Sequence, residues 1–235
     1  MRETAESRDL ATVGSRRRSR RIDPAIARIS PRGRAVIIGV TGGIGAGKST
    51  VCAVFEKAGA RVIDADSTGH EVLRDPIVIR NLTDVFGREI LDADGQIARR
   101  ELGKRAFASD KNREKLNAIV WQPLRQLLLD KIYAALDREP TRPVVVDAAL
   151  LVERGDPKKI VDVLVVVTAP EALRIQRTMT RLGISRAEVM ARLSAQLPEE
   201  DKVSVADFVV VNDKTPAVCR QRARAIWNKL QCEER

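Results

Sequence analysis

The sequence predicts an α/β fold with a parallel sheet at its core, and three observations lead to it. From about residue 34 onward, short apolar runs alternate with amphipathic stretches. The runs are nearly continuous in apolar residues, as expected of strands buried on both faces. The first run opens into a glycine-rich loop followed by a helical pattern.

Taken in order, residues 36–40 form the first expected strand, 48–57 the first helix and 61–63 a second strand entering Asp64-Ala65-Asp66. Further strands are expected over 143–146, 161–167 and 208–211. Pro143 stands at a strand start, where its missing donor is tolerated. Residues 68–139, between the second and third strands, show helical periodicity, weak strand character and few breakers, and are expected to form a helical insertion.

With 235 residues, 44% apolar and 31% charged, the chain can bury a substantial core as one globular domain or one core with an insertion. Its longest apolar stretches, 144–152 and 161–169, contain Asp147 and Asp162. They fall far short of the roughly 18 apolar residues that span a membrane, so no membrane partner is expected. Cys52, Cys219 and Cys232 lack metal-type spacing and fit a reducing, cytoplasmic location better than a disulfide framework. A lone His70 cannot assemble a multi-histidine metal site.

The net charge of +10 is unevenly spread. Residues 1–35 hold 10 Arg against 4 acids, and the rest holds 32 Lys and Arg against 28. Residues 1–34 therefore read as a disordered basic extension preceding a domain over 35–235. It has no apolar stretch for a secretory signal, and Glu3, Glu6 and Asp9 weigh against a transit peptide. Nucleic acid is disfavoured as a partner, since aromatics are 3% of the chain and the extension has none to stack on bases. Removal of residues 1–34 is expected to leave activity largely intact.

After the first strand, Gly42-Gly43-Ile44-Gly45-Ala46-Gly47-Lys48-Ser49-Thr50 satisfies G-x-x-x-x-G-K-[ST] in a strand-loop-helix setting. Glycines let successive N–H groups turn inward around an anion, and the helix beginning near Lys48 adds its positive end. Lys48 offers a mobile charge to β and γ phosphates, and the Ser49 hydroxyl can ligate Mg²⁺. Gly43 to Thr50 are thus the candidate nucleotide-binding residues of a P-loop NTPase fold, with ATP and Mg²⁺ as the expected cofactors.

The loop alone does not choose among kinase, switch and motor. Asp64 and Asp66 stand at the carboxyl end of the second expected strand, where ligands bind in open α/β sheets. A carboxylate there can take a proton from an attacking hydroxyl or help hold Mg²⁺; an Asp before a helix equally serves as an N-cap. Arg174, Arg177 and Arg181 recur at helical spacing and suit either closure over phosphates or a solvated basic face. Asp147 ends an apolar run as a Walker B acid would, or caps a turn.

Along residues 36–230 the chain resembles the dephospho-coenzyme A kinases. The likeness is carried by the loop from Gly39 to Thr50, by Asp64-Ala65-Asp66 with His70, and by Phe86-Gly87. It continues in Asp94-Gly95-Gln96-Ile97-Ala98-Arg99 with Leu102 and Phe107, then Leu116-Asn117 and Pro123-Leu124. Leu150-Leu151-Val152-Glu153, Arg177 with Arg181, Arg192 with Gln196, and Ala206-Asp207 with Asn212 complete the series. Gln122 and Ala149 depart from it, standing where the family usually has His and Pro.

The resemblance implies a parallel core flanked by helices, a helical substrate-binding insertion and a mobile lid over about 174–196. It also implies transfer of the ATP γ-phosphate to the ribose 3′-hydroxyl of dephospho-coenzyme A. By that likeness Asp66 is the base, Lys48 and the loop bind ATP, Arg177 and Arg181 belong to the lid, and Asn212 lies near adenine. Asp64, His70 and Arg99 are implied on the acceptor side. Gly183, within 182–186, is the candidate lid hinge. A nucleoside or nucleotide kinase of the same architecture, and a non-enzymatic nucleotide switch or nucleic-acid-binding ATPase, remain the alternatives.

Overall fold

The apolar runs become the strands of one sheet in the computed structural model, which describes residues 35–153 and 156–233. The expected basic extension, residues 1–34, lies outside the described residues. The strands are β1 (Ile37–Thr41), β2 (Arg61–Asp64), β3 (Val144–Asp147), β4 (Val163–Thr168) and β5 (Phe208–Val211). The helices are α1 (Lys48–Lys57), α2 (Ala65–Val72), α3 (Pro76–Phe86), α4 (Arg99–Ala106), α5 (Asp110–Arg138), α6 (Glu171–Leu182), α7 (Arg186–Ser194), α8 (Glu199–Ser204) and α9 (Pro216–Glu233).

The sheet order is β2-β3-β1-β4-β5, with β1 parallel to β3 and β4, and β4 parallel to β5. Every residue of β1 and β4 is buried, which explains their unbroken apolar character. From β1 the chain builds outward to β2 and β3 on one side and then crosses to β4 and β5 on the other. The strand order thus reverses about β1, and such reversals open a ligand crevice at the carboxyl ends of the strands.

Strand ends shift from their expected positions for local reasons. Pro143 precedes β3, and its carbonyl accepts from the Arg61 N–H at 2.8 Å. The fourth strand begins at Val163 because a 3₁₀ turn, Pro157–Lys159, continues into Val161, whose N–H donates to the Pro157 carbonyl. Asp162 then accepts from the Ile37 N–H at 2.9 Å. Gly39 leaves room mid-strand: a Cβ there would lie 2.7 Å from Leu151 Cδ2.

The chain divides into two compact units. One comprises residues to Ile63 and from Ala135 onward; the other runs from Asp64 to Ala134, against the expected insertion over 68–139. The first unit packs α1 and α9 with the strands in one buried cluster, including Phe55 and Trp227 with ring centroids 5.5 Å apart. The second has its own core of Val72, Val78, Leu82, Phe86, Ile90 and Leu102, with Leu116 and Leu124 against it. Its helix starts carry strong local signals. Asp64 caps α2, and Asp75 caps α3 with Pro76 in its first turn. Pro123 lies within α5.

Candidate active site

The loop after β1 is shaped by conformations that only glycine takes readily. Gly47 is the left-handed N-cap of α1 at φ 98°, and a Cβ on it would lie 2.2 Å from Asn212 Nδ2. At Gly45 (φ 76°) a Cβ would lie 2.4 Å from the Arg174 carbonyl oxygen. Among the described residues no side chain caps α1, so the helix turns its backbone N–H groups toward the loop without a side-chain acceptor. Lys48 Nζ donates to the Gly42 carbonyl at 3.2 Å, closing the loop on itself. Ser49 is exposed in the first turn of α1. Asp147 is half-buried and sits in register with Val40, one residue before the end of β1.

Around this loop the core unit supplies a second layer of polar contacts. Asn212 Nδ2 donates to the Ala46 carbonyl at 2.8 Å, and its backbone N–H donates to Thr168 at 2.7 Å. The residue that the resemblance places near adenine is thus buried, with its amide nitrogen on the Ala46 carbonyl. Arg177 Nη1 donates to the Asn212 carbonyl at 3.2 Å. Arg174 Nε donates to the Ile44 carbonyl at 3.2 Å, and its Nη1 lies 3.2 Å from Glu199 Oε2. Burial pushes the Glu199 carboxyl above its usual range, with Arg174 pulling the other way. Gln196 Oε1 accepts from the Ile44 N–H at 2.9 Å.

The three arginines at helical spacing therefore divide. Arg174 and Arg177 are tied to the loop and to Asn212, whereas Arg181 and Arg192 are exposed. Gly183 ends α6 in the left-handed conformation, two residues before Ser185 opens α7 with a capping box.

In the helical unit the two readings of the Asp pair separate by residue. Asp64 Oδ1 accepts from the Asp66 N–H at 2.8 Å and from the Ser67 N–H at 3.2 Å, so Asp64 is the cap. Asp66 lies in the first turn of α2 with an exposed side chain. His70 near the end of α2 and Arg99 at the start of α4 are also exposed. Of the two departures, Gln122 is exposed on α5, and the carbonyl of Ala149 accepts from Thr41 Oγ1 at 3.3 Å.

Glu199 and the ion pair between Lys202 and Glu153 have no role that the sequence alone assigns. That pair closes at 2.6 Å, with Lys202 only 1% exposed. Glu153 was visible as the last residue of the Leu150 motif, but no local pattern marks its partner 49 residues on.

A family model described as dephospho-CoA kinase matches residues 36–217. The chain belongs to the dephospho-CoA kinase family. Its relatives in this family include the dephospho-CoA kinase of Corynebacterium diphtheriae, 38% identical over 83% of this chain and 96% of the relative. That of Geobacter sulfurreducens is 40% identical over 82% of this chain and 98% of the relative. Among solved structures, TT1252 from Thermus thermophilus matches with TM-score 0.70 and 32% identity, covering 84% of this chain and 98% of its own. The dephospho-CoA kinase from Campylobacter jejuni matches with TM-score 0.56 and 25% identity, covering 83% and 97%. As a dephospho-CoA kinase family member with a five-stranded parallel P-loop core, the chain is an ATP-using phosphotransferase.

Proposed function

We propose that this protein transfers the γ-phosphate of ATP to the ribose 3′-hydroxyl of dephospho-coenzyme A, yielding coenzyme A and ADP. The observation that carries this reading is the family match over residues 36–217, which takes in both the nucleotide loop and the helical unit. Transfer is direct and in line. The 3′-oxygen forms a bond to the γ-phosphorus, the bond to the β–γ bridging oxygen breaks, and that oxygen leaves with its electron pair on ADP. The hydroxyl proton passes to Asp66, whose exposed carboxylate accepts it.

A loose transition state of this kind needs positioning and positive charge more than covalent chemistry. Loop amides from Gly43 to Thr50 and the Lys48 ammonium supply both to the β and γ phosphates. Arg177 and Arg181 add lid charge, and Asn212 serves the nucleotide through its hold on Ala46. Asp64, His70 and Arg99 serve the acceptor, Asp64 by fixing the start of α2 that carries Asp66. Ser49 in the first turn of α1 and Asp147 at the end of β3, a hydroxyl and a carboxylate, are the residues that would hold Mg²⁺. Held there, Mg²⁺ would supply positive charge to the transferring phosphate.

We place the reaction in the cytoplasm, where the buried thiols Cys52 and Cys219 remain reduced. No helix among the described residues is long and apolar enough to cross a membrane. The test is ADP formation with and without dephospho-coenzyme A, with the product identified by mass. The expected result is acceptor-dependent ADP and a product heavier by one phosphoryl group at the 3′ position. ADP release without acceptor, or phosphorylation of a nucleotide instead, overturns the proposal.

A further inference from the structure

The tip of the nucleotide loop is gripped at both polar groups of one residue. Ile44 donates its N–H to Gln196 Oε1 at 2.9 Å, and its carbonyl accepts from Arg174 Nε at 3.2 Å. The two partners come from separate places, Arg174 from α6 and Gln196 from the short link between α7 and α8. Arg174 is itself fixed. Its side chain is 12% exposed, its Nη1 meets Glu199 at 3.2 Å, and Thr178 Oγ1 donates to its carbonyl at 2.7 Å. The guanidinium lies so close over the loop that a Cβ on Gly43 would fall 2.0 Å from Nη2.

Ile44 stands between Gly43 and Gly45, whose backbones impose little conformational preference of their own. Within the loop the Ala46 N–H donates to the Gly43 carbonyl at 3.1 Å, a turn with Ile44 and Gly45 at its centre, and the two side chains add to it from outside the loop. Two roles are open to Gln196: a brace that sets the loop, or a plug that occupies an amide meant for phosphate. A plug needs only the N–H contact and leaves the Arg174 hold on the Ile44 carbonyl, with its Glu199 anchor, without a purpose. A brace accounts for both contacts, and the Asn212 bond to the Ala46 carbonyl extends the same pattern along the loop. Donors already oriented before charge develops are the ones that lower a barrier.

We infer that Gln196 and Arg174 are positioning residues for phosphoryl transfer, acting through the Ile44 peptide groups to hold the nucleotide loop and the α6–α8 segment in one arrangement. The inference rests on the proposed ATP-dependent reaction but concerns the loop, so ATP affinity tests it even apart from turnover.

The experiment compares the full-length chain with Gln196→Met, which keeps length and loses the acceptor, with Arg174→Met, and with the double variant. ATP affinity is measured by calorimetry, and kcat and both KM values by coupled assay. Each single variant is expected to bind ATP several-fold more weakly and to lose about tenfold in kcat, with the KM for dephospho-coenzyme A within twofold of the parent. Because both side chains hold one residue, the double variant should lose little more than the worse single one, a non-additivity that general destabilisation would not produce. If Met at 196 lowers the Tm, Gln196→Ala provides the same comparison. Tighter ATP binding in the Gln196 variants makes the side chain a plug and overturns the inference, as do unchanged constants or losses that multiply. A parent enzyme that binds ATP but does not phosphorylate dephospho-coenzyme A refutes the proposed reaction alone.

Discussion

The core unit and the helical unit present their candidate groups in opposite ways. In the core unit several groups around the loop are held by distant partners: Asn212 by Thr168 and Ala46, Arg174 by Ile44 and Glu199, Gln196 by Ile44. In the helical unit, Asp66, His70 and Arg99 are exposed, and the Asp64 cap at the start of α2 is a local bond. The difference suits the two tasks. A triphosphate site gains from donors fixed in advance, whereas groups meeting a large acceptor keep their hydration until it arrives.

Four substitutions can break or sharpen that contrast. Lys202→Met should have the largest effect on stability, about 3–5 kcal/mol, because it strands the Glu153 carboxylate in a buried place. Chemical denaturation checks this, and a Glu153→Gln/Lys202→Met double variant should recover most of the loss. Lys48→Ala should lower kcat by about 10²–10³ through lost transition-state charge, with the melting temperature nearly unchanged. Asp66→Asn should lower kcat by about 10² while ATP affinity by calorimetry stays within twofold. Near-normal turnover there would remove Asp66 from the mechanism and leave the helical unit without a base. Asp64→Ala, which deletes only a cap, should cost about 1 kcal/mol in thermal unfolding, the smallest effect of the four.

Much of the fold was legible because its signals are local or periodic. Strands buried on both faces read as apolar runs, and α1 begins and ends at the expected residues because the loop before it dictates its start. Strand boundaries were less legible, since a 3₁₀ turn and the bonds of Asp162 decide where β4 begins. At the site, the loop was readable from spacing, whereas the cap role of Asp64 is decided only once the hydrogen bonds are known. The bracing of Ile44 was not readable at all. Its partners lie 130 and 152 residues away, and such contacts leave no periodic trace in a single chain.

The placement of the two tryptophans has a practical consequence. Trp227 sits in the core unit, tilted against Phe55 of the helix that begins at Lys48, while Trp121 belongs to the helical unit. Each unit therefore carries one tryptophan, and a Trp→Phe change in one leaves indole emission that reports on the other. Denaturation followed through the two single-indole proteins would reveal whether the units melt together or in sequence.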